Sequence, residues 1–254
     1  MVSYAAVLAL ASVVVAGLEQ VAPARPSQAA LRPALASDLA MLLFNGHFLG
    51  VGLAWLTART LEPWFGGFTP VGLADAWPVP AQVVAAIVAI DGMQWCVHVL
   101  LHRVPFLWEV HKVHHSVRLD EMDWIVAFRF HWFEVVVYRT LLYVPLALLG
   151  FAPPALFAHA VVGTVIGHLN HANLDWSYGP LRYILNNPRM HLWHHARDGR
   201  ASNFGIIFSF WDWAFGTARL PDQPPPALGY EGDERIPRDF PRLQLWPLFQ
   251  GGPR

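Results

Sequence analysis

Apolar residues fall in five long runs along the chain, at about residues 1–18, 39–58, 80–101, 132–150 and 154–170. Each approaches the roughly 20 residues that a helix needs to cross the hydrocarbon of a bilayer. Five membrane helices are therefore expected. The first run lacks the basic n-region of a signal peptide, so it is read as a membrane helix that stays attached. The connecting segments differ in charge. Residues 19–37 carry Arg25 and Arg32, residues 102–131 carry Arg103, Lys112, Arg118 and Arg129, and the stretch beyond 171 carries nine arginines. Residues 59–79 set Arg59 against Glu62 and Asp75, and the turn near 150–154 has no charge. The positive-inside rule then predicts an external N-terminus, with both long basic segments and the C-terminus in the cytoplasm. Trp55, Trp64, Trp77 and Trp132 sit near the predicted boundaries, where indole rings are favoured.

Histidines are the polar residues that stand out against this background. "MQWCVHVLLHRV" places His98 and His102 at i and i+4, on one face of the third helix. "HKVHH" places His111, His114 and His115 at i, i+3 and i+4, and "HLWHH" repeats that spacing with His191, His194 and His195. "VIGHLNHANLDW" adds His168 and His171 at i and i+3. The topology sends these ten imidazoles to one membrane face. One pair alone would be a weak signal, but two H-x-x-H-H clusters with two further pairs at one level predict metal ligation. His47 and His159 stand alone and are expected to be hydrogen-bonded or interfacial. His131, beside Trp132, is expected to anchor at the interface or to support a ligand.

Composition narrows the chemistry. With 55% hydrophobic and 14% charged residues the chain is too apolar for an ordinary soluble domain, and a net charge of −1 with no basic run gives no footprint for nucleic acid. The single cysteine, Cys96, excludes an internal disulfide and thiolate-rich metal sites, leaving nitrogen and oxygen as ligands. Ten imidazoles exceed one closed tetrahedral shell and suit two ions with open positions, and imidazole accepts iron, zinc and copper alike. Asn170, Asn173 and Asp175 sit beside His168 and His171 and are expected to orient ligand rings by accepting their free N–H groups. Two charges inside predicted spans, Asp91 and Arg139, should face the bundle interior. Their comparable depth suggests an ion pair flooring a substrate cavity; the alternative is that Arg139 snorkels to the interface.

The order H-x-x-x-H (His98, His102), H-x-x-H-H (His111, His114, His115) and H-x-x-H-H (His191, His194, His195) resembles the membrane fatty acid hydroxylase and sterol desaturase superfamily. "SNFGIIFSFWDWAFGT" resembles the segment those proteins place after their last box. The resemblance covers about residues 85–220. It implies an all-α integral membrane fold, a bundle of four to five transmembrane helices under a cytoplasmic helical cap. It also implies a non-haem di-iron site that uses dioxygen to oxidise a lipid C–H bond. The eight box histidines would be ligands, and His168 with His171 resembles an extra pair that some members use. No catalytic side chain is expected beyond the ligands.

The chain shows no dinucleotide fingerprint and no cysteine set for an iron–sulfur cluster, so a separate electron donor is implied, cytochrome b5-like or ferredoxin-like with its reductase. Residues 1–84 are expected to form the N-terminal membrane helices, 85–220 the catalytic domain, and 221–254 a proline-rich cytoplasmic tail that wraps or trails the domain. One lysine against sixteen arginines suggests a GC-rich bacterial genome and hence the inner membrane. Two readings compete with the enzyme. A bis-histidine haem carrier needs only two rings per haem, and a metal transporter would line a path across the bilayer rather than one face. Hydroxylation is slightly favoured over desaturation.

Overall fold

Prolines and short polar side chains open the helices of the computed structural model, which describes residues 3–53 and 72–246. Ser3 caps α1 (Tyr4–Val21) by accepting from the Ala6 amide at 3.2 Å. Helix α2 (Leu35–Leu43) runs on through a π turn, Phe44–Phe48, to Leu53. Pro80 lies in the first turn of α3 (Val79–Arg103). Val104 takes an extended conformation, as the residue before a proline prefers, and Pro105 starts α4 (Pro105–His115) at a new angle. There follow α5 (Trp132–Leu148), α6 (Pro153–His171), α7 (Pro188–His194), α8 (Phe210–Phe215) and α9 (Phe240–Leu245). The fold is all-α, with no strand among the described residues.

This is a membrane protein. Three helices among the described residues are long and apolar enough to cross a bilayer: Tyr4–Val21, Leu35–Leu53 and Val79–Arg103. Helices α5 and α6 occupy the other two predicted stretches with more polar content, Glu134 and Arg139 in the first and His159, His168 and Asn170 in the second. The end of the second predicted stretch, with Trp55, and the start of the connection after it, with Trp64, lie outside the described residues. Ala86, Ile90, Val97 and Leu101 of α3 pack against Leu142 and Leu146 of α5 and Ala155 of α6. Lipid tails are as apolar as these side chains, so close packing rather than expulsion of water holds this contact.

The helices alternate in direction, so their ends gather in two layers. In one, the Gln82 side chain donates to the Ala74 and Trp77 carbonyls at 3.0 Å and accepts from the Ala152 amide at 2.6 Å. The other layer collects the segments after α1, α3 and α6. There Arg32 forks onto Asp123 at 2.7 Å and also meets Asp38 at 2.6 Å. Arg129 forks onto the same Asp38 at 2.8 and 2.6 Å. These buried charges clamp residues 116–131 against the foot of α2. The π turn in α2 presents Asn45 to the Phe128 and Phe130 carbonyls at 3.0 and 2.8 Å. The proline-rich C-terminal segment wraps rather than trails. Leu228 packs with Val117, Met122 and Val126, and Ile236 and Leu243 pack with Met41 and Val113. Gln244 accepts from the Trp132 amide at 2.7 Å and donates to the Phe130 carbonyl at 2.8 Å.

Candidate metal centre

The turn at Val104–Pro105 folds α4 back across the end of α3, and Asn187, accepting from the Met190 amide at 3.0 Å, sets α7 beside both. Two groups of imidazoles result. His98, His102, His111, His115 and His194 form one; His114, His171, His191 and His195 form the other. Within each group one nitrogen per ring lies within 4.8 Å of all the others. All but His102 are buried, and His102 is half-buried. Neighbouring residues are split between the groups: His114 and His115 face different ones, and so do His194 and His195. Successive residues on a helix point about 100° apart, so an H-H dipeptide serves two centres at once. The His115 and His195 rings, 4.5 Å between centroids, join the groups.

In four of the nine rings hydrogen bonding fixes which nitrogen faces inward. His98 Nδ1 lies 2.8 Å from the Phe204 carbonyl and His194 Nδ1 lies 2.8 Å from the Ser202 carbonyl. A carbonyl only accepts, so each Nδ1 carries the proton and each Nε2 keeps a lone pair. His111 Nδ1 likewise donates to Glu134 Oε1 at 2.9 Å. The Nε2 atoms of His98, His102, His111, His115 and His194 are buried without a hydrogen-bond partner. In the second group His171 Nδ1 donates to the Gly167 carbonyl at 2.8 Å. Its Nε2 then faces His191 Nε2 at 2.9 Å and His114 Nε2 at 3.3 Å, more nitrogens than one proton can satisfy. Buried lone pairs aimed at one another fit a cation between them and little else.

Burial, with repulsion from neighbouring rings, pushes His111, His114, His115, His191, His194 and His195 well below the ordinary imidazole range. They are therefore neutral, as metal ligands must be.

Nine of the ten histidines singled out by spacing come together, and His168 does not. Its Nδ1 donates to the Thr164 carbonyl at 2.6 Å, its Nε2 meets Ser12 Oγ at 3.1 Å, and its ring stacks on Trp124. One nitrogen is engaged within α6 and the other in holding α6 to α1. His159 bonds the Tyr143 hydroxyl at 3.1 Å and His47 is exposed, as expected of isolated histidines. The expected supporting residues differ from those found. His131 caps α5, its Nδ1 accepting from the Phe133 amide at 3.2 Å. Asn173 holds the Arg25 backbone, accepting at 2.9 Å and donating at 3.2 Å, and Asp175 forks onto Arg189 at the surface. Asn170 donates to the Ile206 carbonyl at 2.8 Å. None of the four is hydrogen-bonded to a clustered imidazole.

The Asp91–Arg139 pair is also replaced by other contacts. Asp91 accepts from the Ile207 and Phe208 amides at 2.8 and 3.1 Å and from Trp211 Nε1 at 3.0 Å, so backbone donors, not an arginine, balance it. The Arg139 guanidinium packs against Gly50, where a Cβ would come within 2.9 Å of it. Two further carboxylates matter to the site and were not singled out. Glu134 orients His111. Asp212 accepts from the Phe204 and Gly205 amides at 2.9 and 2.8 Å and so holds the carbonyl that orients His98. Asn203, at a positive φ of 56°, turns the chain into that carbonyl. The available signal for Glu134 was an ionisable group just inside a predicted span.

A helical membrane bundle carrying two buried imidazole clusters defines the class. Residues 83–217 match the fatty acid hydroxylase family, and the chain belongs to that family. It is 36% identical over 155 residues to an ornithine lipid hydroxylase, OlsE, of Rhizobium tropici, covering 59% of this chain and 45% of that protein. It is 29% identical over 145 residues to alkylglycerol monooxygenase of Homo sapiens, covering 56% of this chain and 31% of that protein. The match to a very-long-chain aldehyde decarbonylase, GL1-10, of Oryza sativa is 25% identical over 181 residues, 67% of this chain and 57% of that protein. The chain thus spans less than half of the first two relatives. No solved structure matches.

Proposed function

We propose that this chain is a membrane lipid hydroxylase holding two iron ions, one in each imidazole group. The reading rests on one observation above all: nine imidazoles gather in two tight groups, and in four of them, His98, His111, His171 and His194, a hydrogen bond holds the proton on Nδ1 so that Nε2 aims its lone pair inward. When bound, the metals would supply the activation of dioxygen. His98, His102, His111, His115 and His194 would hold one ion, and His114, His171, His191 and His195 the other. Glu134 and the Phe204 and Ser202 carbonyls keep the ring orientations fixed through turnover.

Hydroxylation takes a C–H bond, dioxygen, two electrons and two protons to an alcohol and water. The two relatives named hydroxylase and monooxygenase favour that outcome over desaturation. The described residues carry no redox cofactor motif, so a separate donor, cytochrome b5-like or ferredoxin-like with its reductase, delivers the electrons. The arginine distribution supports a metal layer on the cytoplasmic face, and the excess of arginine over lysine supports a bacterial inner membrane. Residues 85–220 would be the catalytic part, with 1–84 supplying the first membrane helices, and within the tail 221–254 the described residues up to 246 act as a strap over the metal layer. The substrate is a membrane lipid, reached from the hydrocarbon below the site.

Lipid mass spectrometry tests this, comparing membranes that express the intact chain with those expressing His115→Ala. A lipid gaining one oxygen with the intact chain alone is expected. Loss of two hydrogens instead would make it a desaturase, and identical lipids would overturn the enzyme reading.

A further inference from the structure

We propose that residues 181–184 and 207–215, which follow the last helical span and were expected in a cytoplasmic cap, form a ledge within the membrane whose apolar side chains are covered by lipid acyl chains. The proposal rests on α3 as a membrane span. Asp91 is the midpoint of α3, twelve residues from Val79 and twelve from Arg103. At about 1.5 Å per residue it lies about 18 Å from either end, and a hydrocarbon core about 30 Å thick centres near it. It is also about 10 Å deeper than His98, two turns along the same helix.

The ledge is pinned at this depth. Asp91 holds the Ile207 and Phe208 amides and the Trp211 indole. Gly92, one residue on, leaves room for the Trp211 ring, which a Cβ would meet at 2.9 Å. Trp95 donates to Asp212 at 3.1 Å and stacks on Phe215 with centroids 4.7 Å apart. The Ser209 amide donates to the Ile184 carbonyl at 3.0 Å, which brings 181–184 to the same level.

Irregular backbone at membrane depth is tolerated only when its polar groups are satisfied by protein. Here the amides of Phe204 and Gly205 go to Asp212, those of Ile207 and Phe208 to Asp91, and the carbonyls of Gly205 and Ile206 to Asn186 and Asn170. A loop lying in water has no need of two buried carboxylates to do this. Meanwhile the side chains turned outward are Leu181, Ile184 and Phe215, at 53%, 51% and 63% exposure, with Tyr183 and Trp213 between them. Arg182 lays its guanidinium over the Tyr183 ring, 5.2 Å from its centroid, an arrangement suited to a long cation at an apolar surface. The ledge continues the lipid-facing surface of α3 and widens it directly below the first imidazole group.

The test uses the full chain with Cys96→Ser and single cysteines at Ile184, Phe215, Val88 and Arg200, each carrying a small fluorophore, in phosphatidylcholine vesicles. Val88 lies on the exposed side of α3 three residues from Asp91, and Arg200 is an exposed surface residue. Quenching by mid-chain brominated lipid and by aqueous iodide is compared. Labels at Ile184 and Phe215 should lose fluorescence to brominated lipid as the Val88 label does and resist iodide. Iodide quenching like that at Arg200 would overturn the ledge, and so would protection from both quenchers, which would mean a second protein chain covers it. Iodide quenching at Val88 would instead remove the span on which the proposal stands.

Discussion

Glu134 Oε1 accepts from Nδ1 of His111 at 2.9 Å, and both side chains are fully buried although they come from different helices. The carboxylate keeps the proton on Nδ1, so Nε2 presents its lone pair to the metal group. Partners of this kind are typically worth about 10–100-fold in metal affinity. Glu134→Ala should cost that much, measured as metal retained against a competing chelator. Glu134→Gln, which can still accept through its amide oxygen, should cost less. Equal retention in all three proteins would show that the contact does not set the ring's tautomer.

His115→Ala and His168→Ala should separate cleanly. His115 belongs to the first imidazole group, whereas His168 joins α6 to α1 through Ser12 and to the 124–128 turn through Trp124. Purified His115→Ala should lose bound metal and activity. His168→Ala should keep the metal content of the wild type and lose thermal stability, by about 1–3 kcal/mol for two broken polar contacts. Loss of metal in His168→Ala with unchanged stability would return it to the ligand set.

Spacing within one helix was legible in the sequence, and partnership between distant segments was not. The i, i+3 and i+4 offsets put His111, His114 and His115 on one face before any tertiary structure is known, and the same logic correctly joined His171 to them. Applied to His168 it failed, because a ring with two nitrogens can be claimed by a neighbouring helix, and Ser12 lies 156 residues away. Asp91 was flagged correctly as a costly charge needing a partner. The partner is backbone more than a hundred residues downstream, which hydropathy does not encode. The split of each H-H pair between two centres follows from helix geometry once two ions are assumed, yet only the fold assigns which ring goes where.

Protonation gives a third expectation, with its sign. In the unfolded chain the histidines titrate near 6.5, while in the fold His111, His114, His115, His191, His194 and His195 are held well below that. Below about pH 6.5 the unfolded state binds more protons than the fold, so stability falls as pH is lowered and is restored above it. The melting temperature of metal-free protein should therefore drop between about pH 7.5 and 5.5. A flat profile across that window would mean the clustered rings are not buried as neutral groups.

Sidedness follows from the helix order. Ala76 lies in the layer with the Ala74 and Ala152 contacts, and Arg200 in the metal layer. With Cys96→Ser as background, a cysteine at Ala76 should react with an impermeant maleimide in intact cells, and one at Arg200 only after permeabilisation. The reverse result would place the metal layer outside, away from cytoplasmic reductants.

The buried charges around Asp38 supply the last expectation. Asp38 accepts from Arg129 at 2.8 and 2.6 Å and meets Arg32 at 2.6 Å, with all three side chains at most 3% exposed. Arg32 also has Asp123, whereas among the described residues Arg129 bonds Asp38 and the Ser116 carbonyl, the latter at 2.8 Å. Removing Asp38 therefore strands a guanidinium in a place water does not reach. Breaking one side of a buried pair typically costs about 3–5 kcal/mol, more than the intact pair contributes. Asp38→Ala should cost that much in detergent unfolding, whereas Asp239→Ala, which breaks the exposed ion pair with Arg242 and the cap on the Arg242 amide, should cost at most about 2 kcal/mol. Replacing Asp38 and Arg129 together by leucine should recover part of the loss, because no unpaired charge from that contact then remains. Because Arg129 holds the segment that follows His114 and His115, Asp38→Ala should also loosen metal retention, though Asp38 touches no imidazole. If Asp38→Ala were as stable as the Asp239 variant, the network would be a passive feature of the fold rather than the clamp that fixes the metal layer on the membrane helices.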